Sequence, residues 1–269
     1  MKIVDTHCHL HRAEFDGDRE QILARARTAG VVRFVDPATD LASNRTVVAL
    51  AQEQPDVYAA VGIHPHDAEQ LTSAAFEELS DLAAQPKVVA IGEIGLDYYR
   101  NLSPRDLQQE AFRKLLGLAR SRNLPVIIHC RGEGASNASS GEGLEIYRDL
   151  FGILKECLEP PYRGLLHCFG GSLAVANEAI ELGLLISFAG NLTFSKADAL
   201  RAVAREVPME KIVLETDAPF LSPQAYRGKR NEPFHLTELI RVWSEIRGLP
   251  MEEVARLTTE NACRLFGFA

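Results

Sequence analysis

His7 and His9, in the run Asp5-Thr6-His7-Cys8-His9, stand two residues apart just after a short apolar stretch. Successive side chains on an extended strand alternate between faces, so the two imidazoles point the same way and can grip one cation. Glu93, His129, His167 and Asp217 recur where other short apolar runs end. Six ligand-type side chains from separate strand ends describe a site for two divalent ions. The chemistry of such a site is hydrolysis by an activated water.

Each of the six has a reason of its own. Glu93 lies inside Val88-Val89-Ala90-Ile91-Gly92-Glu93-Ile94, where a carboxylate is costly unless something neutralises it. An ion pair would do so; bridging two cations about 3.5–4 Å apart is the sharper reading. His129 closes Pro125-Val126-Ile127-Ile128, and His167 closes Leu165-Leu166. Asp217 supplies the last carboxylate and is the expected general base, returning its proton to the leaving group. Glu93 and Asp217 are therefore the expected catalytic pair. Glu215 shares the parity of Asp217 one layer lower, with a structural ion pair favoured, and Asp97 is expected to cap or pair locally.

Substrate contacts are less determined. His64, in Gly62-Ile63-His64-Pro65-His66, is near enough to the site to donate to a phosphate oxygen or leaving group, or it caps neighbouring backbone. Arg131, just past His129, and the cluster Arg227, Lys229 and Arg230 are candidate anion contacts, though charge runs are usually only solvated. Cys8, Cys130 and Cys168 each adjoin a candidate histidine, so alternation turns them to the opposite face, into strand–helix packing.

Positioning these residues demands a fold that gathers strand ends. Val/Ile/Leu-rich runs at Lys2–Asp5, Val31–Val35, Val57–Ile63, Val88–Ile94, Val126–His129, Gly164–Cys168, Leu184–Ser187 and Lys211–Glu215 read as parallel strands buried on both faces. Helical stretches alternate with them. Ser103-Pro104 predicts a helix start with Ser103 as N-cap, running to about Asn123, and Thr259 is a candidate cap for the last helix, which ends at Gly267. Eight βα units in 269 residues fit one (β/α)8 TIM barrel, an α/β fold spanning 1–269 as a single domain with its site at the C-terminal strand ends. An open doubly wound sheet would not bring strands 1, 4, 5, 6 and 8 to one place. Gly132 to Gly143, rich in Gly and Ser, reads as a loop on that face, either overhanging the site or a tolerated insertion.

Composition narrows the classes. Hydrophobic residues are 46% and charged residues 25%, ordinary for a globular enzyme, and no apolar run approaches the ~20 residues that span a bilayer. Five irregularly spaced cysteines and an N-terminus without an apolar leader imply a reducing, cytoplasmic setting with no membrane contact. A net charge of −8 offers no basic stripe for wrapping duplex DNA, and two divalent ions would halve it just where an anion would bind. No obligate protein partner is evident.

The ordered series DTHCHL, GIHPH, GEIGLDYYR, PVIIHCR, LHCFGGS, ISFAGNLTF, ETDAPFL, RNEP and TTENACRLFG resembles the TatD family of metal-dependent hydrolases, among the amidohydrolase-like barrels, over almost the whole chain. The resemblance carries the family's metal ligands onto His7, His9, Glu93, His129, His167 and Asp217. Glu93 stands where related barrels often have a carboxylated lysine. Two departures bear on substrate preference: His11 replaces a frequent acid, and Arg131-Gly132 replaces a usual Arg-Asp. The resemblance implies a deoxyribonuclease acting from the 3′ end on weakly held DNA ends or another phosphodiester. The alternative is a metal-dependent esterase or amidase, such as an aminoacyl-tRNA deacylase, at the same site. A binding protein with a vestigial site is disfavoured by the full ligand set. Four imidazoles with two carboxylates favour zinc or manganese over magnesium, with magnesium left open for the second position.

Overall fold

The computed structural model describes residues 1–132 and 144–268; the Gly/Ser-rich loop, apart from Gly132, lies outside the described residues. Eight strands form one parallel sheet in sequence order: β1 (Ile3–Asp5), β2 (Val31–Pro37), β3 (Val57–Val61), β4 (Val88–Asp97), β5 (Val126–Arg131), β6 (Gly164–Leu166), β7 (Leu185–Phe188) and β8 (Ile212–Leu214). The ring closes where Thr6 N–H donates to the Leu214 carbonyl (3.2 Å) and Asp217 N–H to that of His7 (2.9 Å). Helices α1 (Arg19–Ala29), α2 (Leu41–Glu53), α3 (Ser73–Leu82), α4 (Arg105–Arg122), α5 (Leu144–Cys157), α6 (Leu173–Glu181) and α7 (Asp198–Glu206) fill the successive crossovers, and α8 (Leu236–Arg247) and α9 (Met251–Phe266) follow β8. This is the (β/α)8 barrel expected from the sequence.

Two apolar layers hold it. The larger lies between strands and helices, with Trp243, Phe15, Phe34, Phe112 and Phe188 fully buried. The smaller fills the barrel: Val4, Val35, Ala60, Ala90, Ile127, Leu165 and Val213, each from a different strand. Leu265 and Phe266 of α9 close this layer from below, and Asn261 of the same helix donates to the carbonyls of Met209 and Ile212 where β8 begins. One end of the barrel is thereby plugged, which leaves the C-terminal strand ends for chemistry.

Inward parity explains the placement of the polar residues. Ile127 and Leu165 face inward, so His129 and His167, two residues on, face the mouth. Val213 likewise sets the parity of Glu215, while Asp217, at φ +57°, lies past the strand in the left-handed region. Glu93 is three residues from inward-facing Ala90, and the strand corrects this with a register shift against β5 between Ile91 and Ile94. Gly95, just past that shift, sits at φ +139°, and a Cβ there would lie 2.0 Å from the His129 carbonyl oxygen, so only glycine fits this close pairing with β5.

Two predicted helix caps are corrected. The N-cap of α4 is Pro104, and the Ser103 hydroxyl donates to the His66 carbonyl (2.8 Å). Helix α9 starts eight residues before Thr259, whose hydroxyl donates to Lys2 (3.1 Å); its end at a left-handed Gly267 is as expected. Proline is the N-cap of both helices; Ser103 is left outside α4 and Thr259 inside α9, and each hydroxyl makes a tertiary bond.

Candidate metal centre

The structure brings His7, His9, Glu93, His129, His167 and Asp217 together at the mouth. Glu93 is the hub. Its Oε2 lies 3.4 Å from His7 Nε2 and 3.9 Å from His9 Nε2, while Oε1 lies 2.8 Å from His129 Nδ1 and 3.6 Å from His167 Nε2. One carboxylate thus serves two groups of imidazoles, one with each oxygen. Asp217 joins the first group, its Oδ1 3.7 Å from His7 Nε2 and 3.5 Å from His9 Nε2.

These spacings can be tested against a cation. Ligands held tetrahedrally at about 2.0–2.1 Å lie about 3.3 Å from one another. The two Nε2 atoms of His7 and His9 are 3.2 Å apart, and the distances to Asp217 and Glu93 cluster around the same value. Nitrogen and oxygen donors at that spacing fit a divalent transition ion. The donors of His7, His9 and Asp217 all lie within 4.8 Å of one another, and so do those of His64, Glu93 and His129.

The outer nitrogens reinforce the fit. His9 Nδ1–H donates to the Pro37 carbonyl (3.1 Å), His129 Nε2–H to Asp97 Oδ2 (3.0 Å), and His167 Nδ1 lies 2.7 Å from Glu215 Oε1. Tying one ring nitrogen to an acceptor leaves the lone pair of the other directed into the site. His7 Nδ1 is buried without a hydrogen-bond partner, and His167 Nδ1 meets Glu215 as an ion pair and not as an aligned hydrogen bond.

Electrostatics point the same way. Burial alone would lower His9, His129 and His167, yet carboxylates raise all three: Asp217 at His9, Asp97 and Glu93 at His129, and Glu215 and Glu93 at His167, which is pushed up to about 10. Burial opposes ionisation of Glu93, but His167 and its other imidazole neighbours hold the carboxyl well below its ordinary value. The pocket is an attractor for positive charge, which a divalent cation supplies compactly.

His64 sits deeper than a rim contact. It is buried, with Nε2 3.5 Å from Glu93 Oε1. Its Nδ1 accepts from the His66 N–H (3.1 Å), and burial with the neighbouring His129 drives its pKa well below the usual value. A neutral ring accepting at Nδ1 carries its proton on Nε2, so His64 presents a donor there, not a lone pair. Arg131, the end residue of β5, is exposed and lies over the Tyr99 ring (4.3 Å). Arg230 is committed to Asp18 (2.6 Å), and Arg227 lies over Phe194 (4.3 Å).

Two acids do what the sequence favoured and more: Asp97 caps locally, accepting from Arg100 N–H (2.8 Å), and Glu215 pairs with His167 (2.7 Å). Asp97 accepts from both His129 and His66 (2.9 Å), and the hydrogen bonds outweigh burial to lower its pKa. Glu215 accepts from Cys168 N–H (2.7 Å) and the Ser187 hydroxyl (2.6 Å) besides meeting His167. The signal for Asp97 was its place at the end of β4; for Glu215 it was parity. Cys8 packs into the core as expected, but Cys168 does not turn away. Its φ of +46° breaks the strand alternation and puts its thiol within 4.8 Å of donors on His167 and Asp217. Burial raises that thiol well above the usual value, so it is protonated beside the ligands. His11, the departure after the first motif, pairs with Asp36 (2.6 Å).

Comparison with known proteins gives the family and the fold. The family described as TatD related DNase matches residues 4–267. A Bacillus subtilis protein named as an uncharacterized metal-dependent hydrolase, YabD, is 39% identical over 264 residues, covering 98% of each chain. A Pectobacterium carotovorum protein named 3′-5′ ssDNA/RNA exonuclease TatD is 34% identical over 98% of this chain and 99% of its own. Among solved structures, the TatD homolog YJJV of Escherichia coli superposes with a TM-score of 0.88 at 34% identity, covering 98% of both chains. The chain belongs to the TatD related DNase family.

Proposed function

We propose that residues 1–269 form one catalytic domain, a divalent-metal-dependent exonuclease that removes nucleotides from the 3′ end of single-stranded DNA. The observation that carries this reading is the divided Glu93 carboxylate, with one oxygen toward His7 and His9 and the other toward His129 and His167. His7, His9, Asp217 and Glu93 would hold one ion, and Glu93, His129 and His167 a second. The imidazole-rich set favours zinc or manganese over magnesium. Relatives named as 3′-5′ ssDNA/RNA exonucleases support the substrate class.

When bound, such ions make water at the site more acidic and offset charge building on a phosphate group. The protein's own groups do the rest. Asp217, held ionised beside His9, accepts the proton of the attacking water and passes it to the leaving oxygen. His64 donates its Nε2 proton to a phosphate oxygen. Asp97 and Glu215 keep His129 and His167 from rotating. Arg131 at the rim neutralises a phosphate further along the strand. With Asp and Glu (37) outnumbering Lys and Arg (29), the chain neutralises few phosphates and binding is weak.

The test pairs elemental analysis of the purified protein with a 3′-labelled single-stranded oligonucleotide. Close to two equivalents of zinc or manganese, and stepwise loss of label that a chelator stops, are expected. A metal-loaded preparation that leaves the oligonucleotide intact while hydrolysing an aminoacyl ester would replace this reading with the esterase alternative.

A further inference from the structure

Among the described residues, five large hydrophobic side chains are exposed: Met1, Leu102, Leu144, Tyr99 and Phe220. The two aromatic ones, Tyr99 at 53% and Phe220 at 43% exposure, both stand on the mouth of the barrel. Tyr99 follows β4, and its N–H donates to the Arg131 carbonyl at the end of β5 (3.1 Å). It lies two residues past Asp97, which holds His129. Phe220 follows β8, three residues past Asp217, with its ring 5.9 Å from that of His9. In a ring of eight strands, the junction of β4 and β5 lies across from the junction of β8 and β1. The two rings therefore flank the donor cluster from opposite sides.

Each ring also carries a guanidinium. Arg131 Cζ lies 4.3 Å from the Tyr99 centroid, and Arg12 Cζ lies 5.1 Å from that of Phe220, with the Arg12 guanidinium also meeting Glu14 (3.3 Å). A ring that packs into a core gains by excluding water; about half of each of these two residues stays in water. What an exposed aromatic face with an adjoining cation recognises is another flat π-system on an anionic backbone. A nucleobase with its phosphate is that ligand. In a duplex the bases cover one another's faces, so only an unpaired strand offers them.

We propose that Tyr99 and Phe220 are the base seats of this enzyme, stacking the bases on either side of the scissile phosphate and selecting a single strand regardless of sequence. The proposal rests on the nuclease reading above and adds to it the residues that decide substrate. Stacking uses a face that every base has, so thymidylate and adenylate strands are held alike. Neither ring touches the reacting atoms. Their effect is on the preference for a strand that bears bases.

The test compares two strands of equal length, an oligothymidylate and one with abasic sites at its 3′-terminal positions, in hydrolysis and in binding by fluorescence anisotropy. The native chain should prefer the thymidylate strand in kcat/KM, and Tyr99→Ala or Phe220→Ala should each reduce that preference about tenfold, the scale of one lost stack. Tyr99→Phe and Phe220→Tyr should restore it, which separates stacking from any general loss of fold. An unchanged preference in both alanine variants overturns the proposal. Base-dependent binding that the alanine variants lose, in a chain that hydrolyses neither strand, keeps the base seats and discards the nuclease reading.

Discussion

Two buried polar assemblies lie side by side at the end of β8, built from similar residue types and solved in opposite ways. In the first, Asp5 accepts from the Thr216 hydroxyl (2.6 Å) and N–H (3.0 Å). Asn231 donates to the carbonyls of Thr216 (2.7 Å) and Phe220 (2.6 Å) and accepts from His235 Nδ1–H (2.8 Å). Each donor there meets an acceptor of the chain itself. In the second, at the mouth, imidazole lone pairs and carboxylate oxygens face one another across about the edge of a coordination tetrahedron. A satisfied network is a structural device. Ligand atoms that converge at that spacing around one shared carboxylate fit a cation between them. That contrast, more than residue identity, marks which assembly does chemistry.

Substitution should separate the two. The largest effect belongs to the mouth: Glu93→Gln or Asp217→Asn should lower kcat by about 10³-fold or more and reduce bound metal, since each removes an anionic oxygen from the donor set. Near-normal turnover with full metal content in either variant would remove the hub role argued for Glu93. Asn231→Ala should do the reverse. It strips the donor from two buried carbonyls and the acceptor from His235, at a cost of about 2–4 kcal/mol in urea unfolding, while metal content per folded chain stays at the native value. Loss of metal from the folded Asn231 variant would show that the two assemblies are one.

The sequence made the mouth more legible than its surroundings. His129 and His167 followed from a period of two at the ends of apolar runs, because inward parity is inherited from Ile127 and Leu165, and Asp217 from its place just past the last such run. Eight such runs with helices between them were enough to point to the barrel. What escaped depends on contacts across long separations. Asp97 meets His66 across 31 positions, and Glu215 meets Cys168 across 47. No local pattern encodes either partner. Cys168 escaped because alternation assumes an extended backbone, and this residue sits in the left-handed region. The cap at Ser103 failed for the mirror reason, since a tertiary acceptor took the hydroxyl, and the one at Thr259 failed because its helix starts eight residues earlier, after Pro250.

The smallest effect concerns protons, and it runs in opposite directions in the two assemblies. His167 at the mouth is raised to about 10 by Glu215 and Glu93, so the stability it lends to the metal-free chain is complete below about pH 6.5 and is lost as pH rises toward 10. His235 is buried and stacked on Tyr226 (3.9 Å). Burial, with help from the nearby Lys229 charge, lowers it to about 4. Between pH 6.5 and 4 the unfolded chain therefore binds a proton that the folded chain refuses. Stability falls as pH drops through that window and levels off below it, by on the order of 2 kcal/mol at pH 5. Urea unfolding of the native chain and of His235→Gln at pH 7 and pH 5 isolates this share, because the glutamine cannot titrate. The native chain should lose more stability than the variant on acidification. Equal losses would mean that His235 is already protonated in the fold, and that the network around Asn231 is no more closed to charge than the mouth is.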